Sequence, residues 1–143
     1  MDRDVHDHNS VLGALRSLTH GVYVLGTRRG RQSNAMTASW VMQTSERPPC
    51  VAVAVRDDQV DVASHFSETS GEYYNKLQGV PYGLTPGGSP FLLGCLAYLD
   101  CKVLDTVRAG EHTVIVGEVT AGETLDDSYP LIYDPTEYEG ALR

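Results

Sequence analysis

The sequence predicts a mainly-β domain, a small barrel carrying one N-terminal helix. Three observations lead there. Only residues 10–20 repeat apolar side chains at helical spacing; the rest breaks into short β-branched and aromatic runs; and those runs are separated by turns bearing Gly and Pro. At 143 residues the chain is long enough for one domain with one core.

Taken in order, residues 1–9 are polar and acidic, a flexible tail ahead of a single domain over 10–143. His6 and His8 lie in that tail with no third ligand nearby, so no metal site is expected. Ser10 is a good N-cap, Val11, Leu12, Leu15 and Leu18 follow at helical spacing, and Gly21 stands where a C-terminal glycine belongs. Residues 21–27 read as a strand, 28–31 as a hairpin turn, and 32–45 as a second strand with small side chains. Pro48 and Pro49 break the chain before the apolar run 50–55, expected as a buried strand. Residues 61–68 read as a short helix carrying Val62, His65 and Phe66, and 73–90, crowded with Gly and Pro, as a long irregular loop. From Cys95 to Leu104 the chain is strand-like again, 109–112 makes a turn, 113–119 returns, and 130–133 adds a last short strand.

Eleven Lys and Arg against nineteen Asp and Glu leave a net charge of −8. That balance weighs against a protein that neutralises DNA or RNA phosphates, and against one that binds an anionic membrane surface. Three cysteines close no disulfide framework and form no C-x-x-C, so a reducing cytoplasm is the expected compartment. No apolar run reads as a signal peptide or a membrane span. Cys95 and Cys101 are six apart, which puts both on one side of one strand and into the core.

The common nucleophile, zinc-protease, P-loop and dinucleotide motifs are absent. The unusual segment is Ser33-Asn-Ala-Met-Thr-Ala-Ser-Trp-Val-Met-Gln-Thr-Ser45, small and hydroxylated where a purely structural strand carries Val, Ile and Leu. Small side chains let a flat ligand approach the backbone, and Ser and Thr hydroxyls suit phosphate or ring oxygens. The same composition also fits an ordinary barrel strand packed opposite a bulky neighbour.

The wider pattern bears on that choice. Gly21-Val-Tyr-Val-Leu-Gly-Thr27, the 33–45 segment and Pro48-Pro-Cys-Val-Ala-Val-Ala-Val55 occur in order with Asn75-Lys-Leu-Gln-Gly-Val-Pro81 and Gly94-Cys-Leu-Ala-Tyr-Leu-Asp-Cys101. Ala109-Gly-Glu-His-Thr-Val-Ile-Val-Gly-Glu-Val119 and Pro130-Leu-Ile-Tyr133 complete the set. Together they resemble the flavin reductase-like family, with its FMN-binding split β-barrel. The resemblance implies a homodimer that binds FMN or FAD near the subunit interface and takes hydride from NAD(P)H, passing electrons to a monooxygenase or another acceptor. It implies that Ser33, Asn34, Ala35 and Met36 lie near the flavin ring with their backbone amides at its polar edge. Thr37, Ser39 and Trp40 continue that strand toward ring, ribityl chain or phosphate, and Thr44 and Ser45 help close the pocket. His112 matches a histidine beside the face where nicotinamide docks, and its catalytic role follows from that match. As a residue by itself, it is equally an ordinary polar group of a hairpin turn.

One part departs from the family. After Val55 the family runs through a basic, hydroxyl-bearing turn, a helix and a strand; here Arg56-Asp-Asp-Gln59 leads straight on. One helix and one strand of the usual fold are therefore missing, and of the phosphate-holding turn Arg56 alone survives. Two readings stay open: a flavin reductase, or a split-barrel dimer module that binds flavin weakly without turnover.

Overall fold

The computed structural model describes residues 5–59, 77 and 79–134. A helix, α1 (Val5–Leu15), precedes eight strands: β1 (Tyr23–Arg29), β2 (Gln32–Ala38), β3 (Val41–Glu46), β4 (Pro49–Arg56), β5 (Tyr82–Leu84), β6 (Pro90–Leu92), β7 (Ala97–Ala109) and β8 (His112–Thr124). The fold is mainly β, a split barrel with one helix, as the sequence predicts. The short helix expected over 61–68, with His65, lies outside the described residues.

The helix starts and stops earlier than its apolar spacing indicates, taking in residues 5–9 that the sequence assigns to the tail. Ser10 is therefore an exposed mid-helix residue and caps nothing. After Leu15 the ladder tightens, with Ser17 donating to the Ala14 carbonyl at 3.0 Å and Leu18 to Leu15 at 3.1 Å, which ends the helix.

Strands β1 and β2 form a hairpin with Gly30-Arg31 as its two-residue loop, Arg29 facing Gln32. Gly30 sits at φ 60°, the left-handed conformation the first loop position of a II′ turn needs. Gly110, at φ 63°, plays the same part in the β7–β8 loop, which Ala109 and His112 close. The expected single strand over 32–45 is two strands. At Ser39 and Trp40 the chain leaves the β1–β2 sheet and enters the four-stranded sheet β3-β4-β8-β7. Side-chain periodicity is the same on both sides of that crossing, so it does not record a change of neighbour.

Strand β4 lies between β3 and β8, and Val55, 1% exposed, is its deepest residue. Met36 of β2 packs with Val55, and Leu25, Val53 and Ile115 close around the pair. This contact joins the two sheets.

The loop expected over 73–90 contains structure. Strands β5 and β6 pair as a small hairpin, with Tyr82 opposite Leu92. Its loop is held from outside by Asp100, 6% exposed, whose carboxylate accepts the Gly87 N–H at 2.6 Å. At the C-terminal end, the expected strand over 130–133 is reduced to one bridge between Gly21 and Ile132.

The cysteines also need correcting. Cys95 precedes β7 and is half-buried, while Cys101 is exposed. A register shift between Asp100 and Cys101 removes the simple alternation on which the six-residue spacing relied. Only Cys50 is buried.

Candidate functional site

Two strand ends and one crossing meet at one end of the four-stranded sheet. Arg56, the last residue of β4, pairs in register with His112, the first of β8. Trp40, at the crossing from β2 to β3, is tied to β4 because its carbonyl accepts the Ala54 N–H at 3.0 Å. Its indole lies 4.7 Å from the His112 imidazole, centroid to centroid, with the rings inclined by 36°. Trp40 is 49% exposed and His112 is half-buried. Two residues chosen from sequence for separate reasons thus form one surface.

The polar groups beside them are organised by Asp57. Its carboxylate accepts from the Thr113 hydroxyl at 2.9 Å and from the Arg108 guanidinium at 3.2 Å, and its own N–H donates to the Glu111 carbonyl at 3.0 Å. These bonds anchor the loop that carries Glu111 into His112. Arg56, expected to grip a phosphate, instead donates to Asp58 at 3.0 Å. Both side chains of that pair are largely exposed, so solvent screens it and it leaves the guanidinium exchangeable.

The remaining predicted residues divide into two groups. Ser33, Asn34, Ala35 and Met36 are all buried, and Asn34 turns its side-chain carbonyl onto the Ala35 N–H at 2.9 Å. Met36 belongs to the core. Thr37 is exposed and Ser39 half-buried, so neither hydroxyl is sealed in the core. Thr44 and Ser45 continue down β3 beside the Cys50 end of β4, away from His112; they are not brought to the Trp40–His112 surface. Sequence reasoning missed His20, whose ring lies 6.1 Å from Trp40, and Asp57. No sequence signal marks either, since both act through neighbours remote in the chain.

A flat ring with a polar edge fits this arrangement. It offers an open indole beside an imidazole, with no deep cavity required. The phosphate end fits less well, because the Arg56 guanidinium is engaged by a carboxylate.

The flavin reductase like domain model matches residues 15–58 and 53–142, and the chain belongs to that family. The two matched pieces overlap at 53–58, just where the sequence departs from the family pattern. High molecular weight rubredoxin of Moorella thermoacetica is 29% identical over 84% of this chain and 62% of its own length. Among solved structures, the NADH:FAD oxidoreductase SgcE6 of Streptomyces globisporus superposes with a TM-score of 0.72 at 22% identity, covering 92% of this chain and 90% of that one. BorF, the flavin reductase component of a bacterial two-component tryptophan halogenase, gives 0.68 at 25% identity, over 89% and 93%. The chain spans less than two thirds of the curated relatives it matches, down to 23% of diflavin flavoprotein A 1 of Synechocystis sp.. Among the described residues, no helix is long and apolar enough to cross a membrane.

Proposed function

We propose that this chain is an NAD(P)H-dependent flavin reductase domain that binds FMN, or FAD, at the Trp40–His112 surface. The observation that carries the reading is the 4.7 Å approach of these two rings at an open end of a family barrel. A bound flavin supplies the hydride acceptor, so the protein needs only to hold the two rings face to face and to favour negative charge at the polar edge. Thr37 and Ser39 donate to the ring or ribityl chain, and His112 borders the nicotinamide. Arg56 reaches the phosphate by exchanging Asp58 for it. Ser33 through Met36 act through their backbone, with Thr44 and Ser45 closing the pocket from a second copy in a homodimer.

In this reading the domain covers 10–143, works in the cytoplasm, and passes electrons to a monooxygenase or another acceptor; nucleic acid and membrane take no part. BorF is the reductase of a two-component system, which is the arrangement proposed here. The Arg56–Asp58 pair favours the second reading, a dimer module that holds flavin weakly without turnover. One experiment separates them: purified protein is mixed with FMN or FAD, and oxidation of NADH and NADPH is followed. Flavin-dependent oxidation supports the reductase, whereas flavin binding without oxidation leaves the module.

A further inference from the structure

His20 lies between α1 and β1, outside every strand, and is half-buried. Its carbonyl accepts the Tyr133 N–H at 2.6 Å, and the adjoining Gly21 bridges Ile132. The chain's two ends therefore hold His20 in place. Its ring meets the Trp40 indole at 6.1 Å, inclined by 43°, while His112 meets the same indole at 4.7 Å. Two imidazoles supplied by distant segments converge on the one indole of Trp40, a residue still 49% exposed. The backbone of Trp40 is fixed by β4, but an exposed indole on that backbone is free to change rotamer unless neighbouring rings hold it. A ring that is already oriented loses less freedom when a planar ligand stacks on it.

We propose that His20 is a positioning residue that, with His112, presets the Trp40 indole as a stacking face for a planar heteroaromatic ring. The ring is that of the oxidised flavin or of the oxidised nicotinamide; both are flat and electron-poor, and the same indole face suits either. The inference rests on the flavin reductase reading for its ligand, and on the ring geometry alone for the role of His20.

The chain contains one Trp, so indole signals report on Trp40 alone. Near-ultraviolet dichroism of the ligand-free protein measures how firmly the indole is held. Quenching of its emission by riboflavin, and separately by N-methylnicotinamide, measures stacking. His20→Ala is expected to lower the indole dichroism by about half or more, and to weaken one of the two ligands by about three- to tenfold. His20→Phe keeps a ring at the position and is expected to restore both within about twofold. In turnover the loss falls on KM, with kcat held within about twofold. The ligand that is weakened identifies the ring that stacks. Unchanged dichroism in His20→Ala, unchanged affinity for both ligands, or failure of His20→Phe to restore them overturns the proposal. If the wild type oxidises no NAD(P)H with added flavin while His20→Ala still loses the dichroism, the reductase reading falls and the grip on Trp40 stands.

Discussion

His112 takes its position from its neighbours, between a turn anchored by Asp57 and the indole of Trp40. If the proposed reading holds, His112→Ala slows hydride transfer from NAD(P)H more than it weakens FMN, because that reading sets the imidazole beside the nicotinamide and not against the flavin. Stopped-flow reduction compared with flavin titration separates the two effects, and equal losses return His112 to a turn residue. Thr37→Val and Ser39→Val remove one hydroxyl each while keeping strand propensity. Loss of FMN affinity by about 1–2 kcal/mol is expected in at least one of them, measured by titration. Cys101 gives a pH prediction. Although the residue is exposed overall, its side chain leans over Gly117, and the partial desolvation of the thiol there, reinforced by Asp100 and Cys50, raises it above its ordinary range. The folded state thus holds the proton more tightly than the unfolded one. The stability this contributes is complete below the ordinary thiol pKa and is lost as pH rises through the raised value. Alkylation of Cys101 in native protein at mildly alkaline pH should be slower than in urea-unfolded protein, and equal rates would exclude the shift.

Among the elements, the two hairpin loops share one solution. Gly30-Arg31 and Gly110-Glu111 both place glycine at positive φ, and the hairpin turns expected over 28–31 and 109–112 are found where the sequence puts them. Gly110→Ala costs about 1–2 kcal/mol through the left-handed conformation alone. Because His112 follows two residues later, catalytic rate should fall along with Tm, whereas Gly30→Ala should lower Tm without the same loss of rate. The β5–β6 hairpin was not legible, because each strand has three residues and its lock, Asp100, lies on β7. A short polar-bordered run carries little periodicity, and a carboxylate in a strand gives no sign that it will cap a distant loop. Asp100→Ala should cost about 1–3 kcal/mol and expose the loop around Gly87 to proteolysis before global unfolding. A variant as stable and as resistant as the wild type would remove that role from Asp100.

Across the whole molecule, apolar surface is left outside. Val11, Leu12 and Leu15 of α1 and Leu18 just beyond it are exposed, as are Met42, Val103, Leu104 and Val107. Exposed apolar side chains of this number suit burial against a second copy, and a homodimer is the assembly we propose. Light scattering at concentrations well above micromolar should return about twice the chain mass, and a monomer mass would refute it. The shortened turn after Val55 bears on ligand choice at the same scale. With Arg56 shared with Asp58, phosphate adds little, so FMN and riboflavin should bind with affinities within about tenfold of each other in the same buffer. Tight FMN with a far larger preference over riboflavin would show that another group holds the phosphate.

The family, the mainly-β class and both hairpin turns were readable in the sequence, because each is a local property of order, spacing or residue size. The tertiary structure decided the rest. It split residues 32–45 between two sheets, turned Ser33–Met36 inward while leaving Thr37, Ser39 and Trp40 at the surface, and set His20 and His112 against one indole. Periodicity reports which way a side chain alternates along its own strand. Which remote residue it meets is settled only when the sheets close on the Met36–Val55 core, and that contact is written in no local stretch of the chain.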